Sequence, residues 1–322
     1  MAPDILVIGQ ITVDDMVPAQ PGPWRRQVGG NALYAAAGAR LWCDPARIGV
    51  VARLGSSIPF DIPALLHDAG LTSAGLRPVA IDHLVEWIVY EEDGSRQSLP
   101  RNPDLRDPAA DIEELFARYL RRLESISASF EDIPKDWLSA RAIHLAPQVL
   151  ARHEAACRAL RTKAEFLSVD PSPHYSRGRD VKALAATLTG ISAFLPSQAE
   201  VQHLSSNTSD WPSVVRNLCA AGFPEVVLKL GGAGALIGEA ADQQIRKLPA
   251  AAAAQTDPTG AGDAFSGAYS ANRALGLPPL EAAQRAAVAA AMVIQCSGAD
   301  EALRLKPDCA QSRLRDYLAL LK

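Results

Sequence analysis

The feature that most limits the fold is an exchange of two periodicities along the whole chain. Short apolar runs of strand length occur at Ile5–Gly9, Ile48–Ala52, Ala142–Leu145, Glu165–Val169, Ala193–Leu195 and Glu225–Leu230. Between and after them lie segments patterned for helix: Ala32–Trp42, Ile62–Asp68, Ile112–Leu123, Val149–Thr162, Val181–Thr189, Ala199–Ser205, Ser213–Ala221, Gly262–Leu275, Leu280–Cys296 and Pro307–Leu321. Such alternation predicts an α/β fold with a mostly parallel central sheet and helices on both faces. One segment departs from it. Leu84–Tyr90 has strand composition, Glu92-Asp93-Gly94-Ser95 reads as a hairpin turn, and Arg96–Leu99 returns as the partner strand. A hairpin of this kind does not fit a doubly wound core, so a second small β element is expected. Residues 121–136, polar and mixed, read as a surface connection.

The chain has 322 residues, enough for one large or two modest domains. Its net charge of -4 gives no electrostatic reason to expect nucleic acid or an anionic membrane as partner. The five cysteines are odd in number and scattered, without a CxxC pair, which fits a reducing cytoplasm. The start of the chain lacks the basic and apolar regions of a signal peptide. No run approaches the roughly 18 apolar residues of a membrane span. His67, His83, His153, His174 and His203 fit no metal spacing, and His144 reads as a core histidine.

Chemistry concentrates at Asp257-Pro258-Thr259-Gly260-Ala261-Gly262-Asp263, which runs directly into the Ala-rich segment Ala264-Phe265-Ser266-Gly267-Ala268-Tyr269. A helix N-terminus presents free N–H groups and a positive dipole end, so it suits an anion. Asp263, at the mouth of such a site, stands where a general base would take a proton from an attacking hydroxyl. The same residues also read as an Asx turn capping a helix.

The motif resembles the C-terminal signature of the ribokinase (PfkB-type) carbohydrate kinases. Three further elements resemble that family in the same order: Gly9-Gln10-Ile11-Thr12-Val13-Asp14, Gly29-Gly30-Asn31-Ala32, and the strand–turn–strand Val226–Leu236 around Gly231-Gly232-Ala233-Gly234. The resemblance spans residues 4 to about 300. It implies one kinase domain over 1–322, with a small β lid from about 10–27 and 79–102. It also implies ATP and Mg²⁺ as cofactors, K⁺ as a further one, a cytoplasmic setting, and a homodimer formed through the lid.

Roles carried over by the resemblance are as follows. Asp263 is the base, with Gly260, Ala261 and Gly262 holding the transferring phosphate. Asp14, Gly29, Gly30 and Asn31 hold the acceptor; Asn31 also reads as a helix N-cap. Asp15, one residue further along an extended chain, faces away and should tolerate alanine. Ser197, Lys229, Gly231 and Gly234 face the nucleotide. Ser197 replaces the family's usual Asn, and with Glu200 it also reads as a capping box. Glu200 and Asp170 lie near Mg²⁺, and Asp257 and Thr259 near a monovalent cation. The Gly231 turn is neither a dinucleotide fingerprint nor a P-loop, because a strand follows it and no Gly-Lys-Ser/Thr is present.

The acceptor these residues imply is a small sugar or polyol. Tyr34 stands where ribokinase-like members often carry Asn, which points away from ribose itself; it reads equally as a core aromatic. A nucleoside kinase of the same family, with Tyr34 or Trp87 stacked on a base, is the alternative. A non-catalytic sugar-binding relative is a third reading, against which the intact Asp263 and glycine loop argue.

Overall fold

A computed structural model describes residues 2–17, 25–90, 96–97, 112–176, 179–202, 204, 210–242, 244–254 and 257–321. The first half of the chain runs β1 (Ile5–Ile8), β2 (Thr12–Val17), β3 (Arg25–Gly29), α1 (Asn31–Arg40), β4 (Ile48–Gly55), α2 (Ile62–Asp68), β5 (Leu76–Val79), β6 (Val85–Tyr90), β7 (Arg96–Gln97), α3 (Ile112–Ile126), β8 (Ala142–Leu145) and α4 (Leu150–Leu160). The second half continues with β9 (Phe166–Val169), α5 (Pro173–Ser176), α6 (Val181–Thr187), β10 (Ala193–Phe194), α7 (Gln198–Val201), α8 (Trp211–Ala220), β11 (Glu225–Lys229), β12 (Ala235–Glu239), β13 (Ile245–Leu248), α9 (Ala261–Ala274), α10 (Pro279–Val293), α11 (Gly298–Ala302) and α12 (Pro307–Leu320).

Among the described residues the strands form two sheets. The larger has nine strands in the order β13-β12-β11-β10-β9-β8-β1-β4-β5. It is parallel from β11 to β5, and antiparallel where β12 and β13 fold back. The strand order reverses beside β1, the kind of switch point outside which α/β proteins bind ligands. The smaller sheet has four strands in the order β3-β2-β6-β7, with β2 and β6 parallel.

Successive residues of each buried strand enter opposite cores. Ile5 and Val7 join the cluster covered by α1, α9 and α10, whereas Leu6 and Ile8 join the cluster on the other face, beneath α4 and α8. The Ala-rich composition of α1 and α9 follows from how closely they cross. A Cβ on Gly38 would fall 2.0 Å from the carbonyl oxygen of Ala264, and one on Gly267 would fall 2.0 Å from that of Ala35. Backbone thus meets backbone, and the N-terminus of α9 is set against the sheet edge without side chains between.

Two elements carry no clear sequence signal. β13 is an edge strand with Arg246 and Lys247 at its centre; Arg246 pairs with Glu239 of β12 at 3.0 Å. α11 is only five residues long, too short for periodicity to show. The stretch 121–136 is not a surface connection. It holds the last turn of α3 and two short 3₁₀ turns at Phe130–Asp132 and Lys135–Trp137. Leu123, Ile126, Ala128, Ile133 and Trp137 are buried there, together with Ser127 and Ser129. The turn Glu92-Asp93-Gly94-Ser95, the lid segments at 18–24 and 98–102, Ser205 at the end of the expected Ala199–Ser205 helix, and His203 lie outside the described residues. No helix among the described residues is long and apolar enough to cross a membrane.

Candidate active site

A cavity of about 940 Å³ lies along the C-terminal edge of the parallel strands, walled on its far side by Asp14, Glu86 and Ile88 of the smaller sheet. Asp170 ends β9, Ser197 follows β10 and Lys229 ends β11, so three loops deliver side chains to one cleft. Gly260, Ala261, Gly262 and Asp263 enter it from the start of α9.

The α9 N-terminus is built around Gly260. This residue is the N-cap, left-handed at φ +78, and its Cα rests against the ring of buried Tyr34; a Cβ would fall 2.2 Å from Tyr34 Cγ. Tyr34 is therefore a core aromatic and a cavity wall at once. The first helical hydrogen bond runs from Ala264 N–H to Gly260 O at 2.8 Å, which leaves Gly262 N–H ahead of the ladder. Gly262 is helical and open: a Cβ there would meet only Lys229 Nζ, at 3.7 Å.

Lys229 does not extend freely into the cavity. Its Nζ bonds the Asp170 carboxylate and, at 3.0 Å, Ser266 Oγ, while Ser266 Oγ donates to Asp170 Oδ2 at 2.7 Å. Ser266 lies one helical turn beyond Asp263, so this triad ties α9 to the ends of β9 and β11. Burial works against the Lys229 ammonium, but the carboxylates of Asp170 and Glu200 more than offset it, and Lys229 stays protonated. Burial pushes the Asp170 carboxyl upward against the pull of Lys229, and the nearby charge of Glu200 adds to that push.

Glu200 also closes a capping box, accepting from Ser197 N–H at the start of α7. Asp170 and Glu200 set two carboxylates against one lysine and offer only oxygen donors. That set suits Mg²⁺ held mainly by phosphates and water. Among the described residues no three His, Cys, Asp or Glu side chains gather into a metal cage. Gly231 and Gly234 flank a short 3₁₀ turn between β11 and β12, both with positive φ, and both border the cavity.

On the opposite side of the cavity stands Asp14. It sits within β2, 2% exposed, and accepts from Thr12 Oγ1 at 2.5 Å. Its neighbour across the ladder is Glu86 of β6, on the same cavity-facing side. Gly29 touches the Asp14 carboxylate so closely that a Cβ would fall 1.8 Å from Oδ2. Asn31 is not the N-cap of α1; Gly30 is, at φ +106. The Asn31 side chain instead staples two loops, accepting from Gln10 N–H at 2.8 Å and donating to Pro147 O at 2.8 Å.

Asp15 has a structural partner that the sequence did not show. Asp15 does face away from Asp14, but it is fully buried and held by Arg26 of β3 at 2.7 and 2.8 Å, a cross-strand ion pair. Trp87 shares that outer face, being paired with Asp15 in the β2–β6 register. The aromatic side chain of this region that lines the cavity is Tyr119 rather than Trp87. Asp257 and Thr259 are buried and adjoin: Thr259 N–H donates to Asp257 Oδ1 at 2.9 Å, and Gln27 Nε2 donates to Oδ2 at 3.3 Å. His144 is a core residue, on Ser168 Oγ at 3.0 Å, with burial driving its pKa down to about 3.

Sequence reasoning passed over Gln10, Thr12, Glu86, Tyr119, Gln148 and Ser266. Only Ser266 carried a usable signal, its three-residue spacing from Asp263 on one helix. The others meet only through the packing of the smaller sheet and α3 over the strand ends.

The pfkB family carbohydrate kinase model matches residues 135–305, a little over half of the chain. A cytidine kinase of Thermococcus kodakarensis is 25% identical over 283 residues, covering 85% of this chain and 90% of the relative. Among solved structures, Burkholderia thailandensis nucleoside kinase in complex with inosine superposes with a TM-score of 0.74 at 17% identity, over 98% of each chain. Arabidopsis thaliana ribokinase complexed with ribose and ATP gives 0.68 at 20% identity, over 98% of this chain and 99% of that one. The fold is thus that of the ribokinase-like enzymes.

Proposed function

Because the chain belongs to the pfkB family of carbohydrate kinases, we propose that it transfers the γ-phosphoryl group of ATP to a hydroxyl of a neutral nucleoside, with free sugars as the second class of acceptor. The observation that carries the kinase chemistry is the convergence on one cavity of Asp263 and Gly262, in the first turn of α9, with buried Asp14. The nucleoside preference draws support from the cytidine kinase relative and from the cavity's apolar wall of Ile88 and Leu123 beside Tyr119. A free pentose needs no such wall.

In this reading the acceptor hydroxyls lie on Asp14, whose carboxylate is already oriented by Thr12. Asp263 accepts the proton of the attacking hydroxyl, and the Gly262 N–H at the positive end of α9 faces the charge that develops on the transferring phosphoryl. Gly260 and Ala261 fix the turn that aims them. Lys229 acts from within its bond to Asp170 and Ser266, holding α9 against the sheet edge while contributing positive potential. The Gly231–Gly234 turn and Ser197 border the remaining length of the nucleotide. Mg²⁺, bound with ATP near Asp170 and Glu200, would neutralise the charge of the phosphate chain. Potassium at Asp257 and Thr259 would stiffen the loop before α9.

A panel of nucleosides and free sugars, assayed for ATP-dependent phosphorylation by product mass, tests the reading. Turnover of at least one nucleoside above every free sugar is expected. Turnover of free sugars alone would return the acceptor to the carbohydrate class, and turnover of nothing on the panel would remove the kinase reading.

A further inference from the structure

Gln148, in the loop after β8, is 2% exposed and borders the cavity. Its side-chain amide donates from Nε2 to the carbonyl oxygen of Ile8 at 3.3 Å. That carbonyl can only accept, so the amide cannot be turned round, and Oε1 faces the other way. There Oε1 is buried and has no hydrogen-bond partner. A buried carbonyl oxygen without a donor carries a desolvation cost, and native proteins rarely leave one. Nothing else assigned to the site uses this atom.

The surroundings define the missing donor. Pro147 O is held by Asn31, and Gln10 Nε2 is held by Ser127 Oγ at 2.6 Å, just beyond α3, so the floor beside Gln148 is rigid. Val149, the next residue, packs with Leu123 and Tyr119 of α3. Leu123 and Tyr119 line the same cavity as Gln148, which offers a base ring apolar and aromatic contact there. The carboxylates that line this part of the cavity, Asp14 and Glu86, are acceptors like Gln148 Oε1, and the side-chain donors beside them are already engaged: Thr12 Oγ1 on Asp14, Tyr119 OH on Glu86 at 2.7 Å, Gln10 Nε2 on Ser127 and Asn31 Nδ2 on Pro147 O.

Resting on the kinase reading above, we infer that Gln148 determines specificity by accepting a hydrogen bond from the exocyclic amino group of the acceptor's base, selecting cytosine- or adenine-type nucleosides. A lactam base would set carbonyl oxygens beside its ring N–H, against a wall of acceptors. The amino group presents two donors there instead.

The test uses substrate pairs that differ only in the amino group: cytidine with pyrimidin-2-one riboside, and adenosine with purine riboside. The wild-type enzyme should prefer the amino-bearing member of its better pair by about 10- to 100-fold in kcat/KM, the worth of one buried hydrogen bond. Gln148→Met, of similar volume and without the acceptor, should abolish that preference through KM, while the deamino analogue and the KM for ATP stay within about twofold. A wild-type enzyme that phosphorylates nucleosides without favouring the amino member, or that favours inosine or uridine, would overturn the inference and leave the kinase reading standing. A preference unchanged in Gln148→Met would do the same. Phosphorylation of free sugars alone would overturn both. The wild-type comparison needs no variant, so the outcome does not depend on Gln148→Met folding.

Discussion

Gly260→Ala should destabilise the protein and disable α9 together, and its cost can be split into two parts. The first is backbone. Gly260 has φ +78, and a residue with a side chain in the left-handed region costs about 1–2 kcal/mol. The second is steric. The new Cβ would lie 2.2, 2.3 and 2.5 Å from Tyr34 Cγ, Cδ1 and Cδ2, against a carbon–carbon optimum near ~3.5–4.0 Å. Tyr34 is 2% exposed on the Ala-lined α1, so its ring has nowhere to retreat, and overpacking of this kind costs about 1–3 kcal/mol. The expected total is about 2–5 kcal/mol, read as a fall in urea midpoint at constant m. Tyr34→Ala, itself costing about 3–5 kcal/mol as a cavity, removes the ring and hence only the steric part. Gly260→Ala should then cost about 1–2 kcal/mol in that background, giving a coupling of about 1–3 kcal/mol. Equal costs in the two backgrounds would show that Tyr34 does not set the position of Gly260, and would refute the account of how the turn is held.

Asp14→Ala should raise the acceptor KM at least about tenfold with little change in the KM for ATP, since each charge-assisted bond it makes is worth about 1.5–3 kcal/mol. Asp15→Ala should instead lower stability by about 1 kcal/mol, through loss of the Arg26 pair, and leave the acceptor KM unchanged; the reverse pattern would exchange their roles. His153 sits between Tyr175 OH and Ala146 O, and burial lowers its pKa from 6.5 to about 4. The unfolded chain therefore binds the proton first: this stability is full above pH 6.5 and lost as pH falls toward 4, about 2 kcal/mol of it by pH 5. His153→Phe should reduce that slope in urea titrations, with buried His144 supplying a further part of it, and an unchanged slope would show that His153 is not a source. Potassium should raise turnover at constant ionic strength through the Asp257–Thr259 loop, and a flat response across monovalent salts would remove that role.

Much of this could be read from the sequence, for identifiable reasons. Strands such as Ile5–Ile8 stand out because fully buried elements leave unbroken apolar runs, and helices such as Ile62–Asp68 because their buried residues, Ile62 and Leu66, fall one turn apart. Asp263 stood out because its chemistry is local, a glycine turn running into a helix. The burial of Asp15 is not legible, because alternation along a strand says which residues share a face, not what covers that face. Asp15 is covered by Arg26, eleven residues away and on another strand. Asn31 was taken for a cap because its type suits one, whereas the φ of Gly30 had already decided the position. Gln148 carries no motif at all. Its significance comes from the direction of one carbonyl, Ile8 O, and from an α3 wall that the chain adds from a distant segment.

The central claim is that Asp263 removes the acceptor's proton in a cavity that otherwise binds both substrates unaided. The most direct measurement is single-turnover phosphoryl transfer by Asp263→Asn with the best acceptor, beside ATP and acceptor affinities by calorimetry. The account predicts a loss of about 10²–10⁴-fold in the transfer rate, with both affinities within a few-fold of wild type. A variant that keeps more than about a tenth of the wild-type rate with the same affinities would contradict it, and the base would have to be sought elsewhere in the cleft.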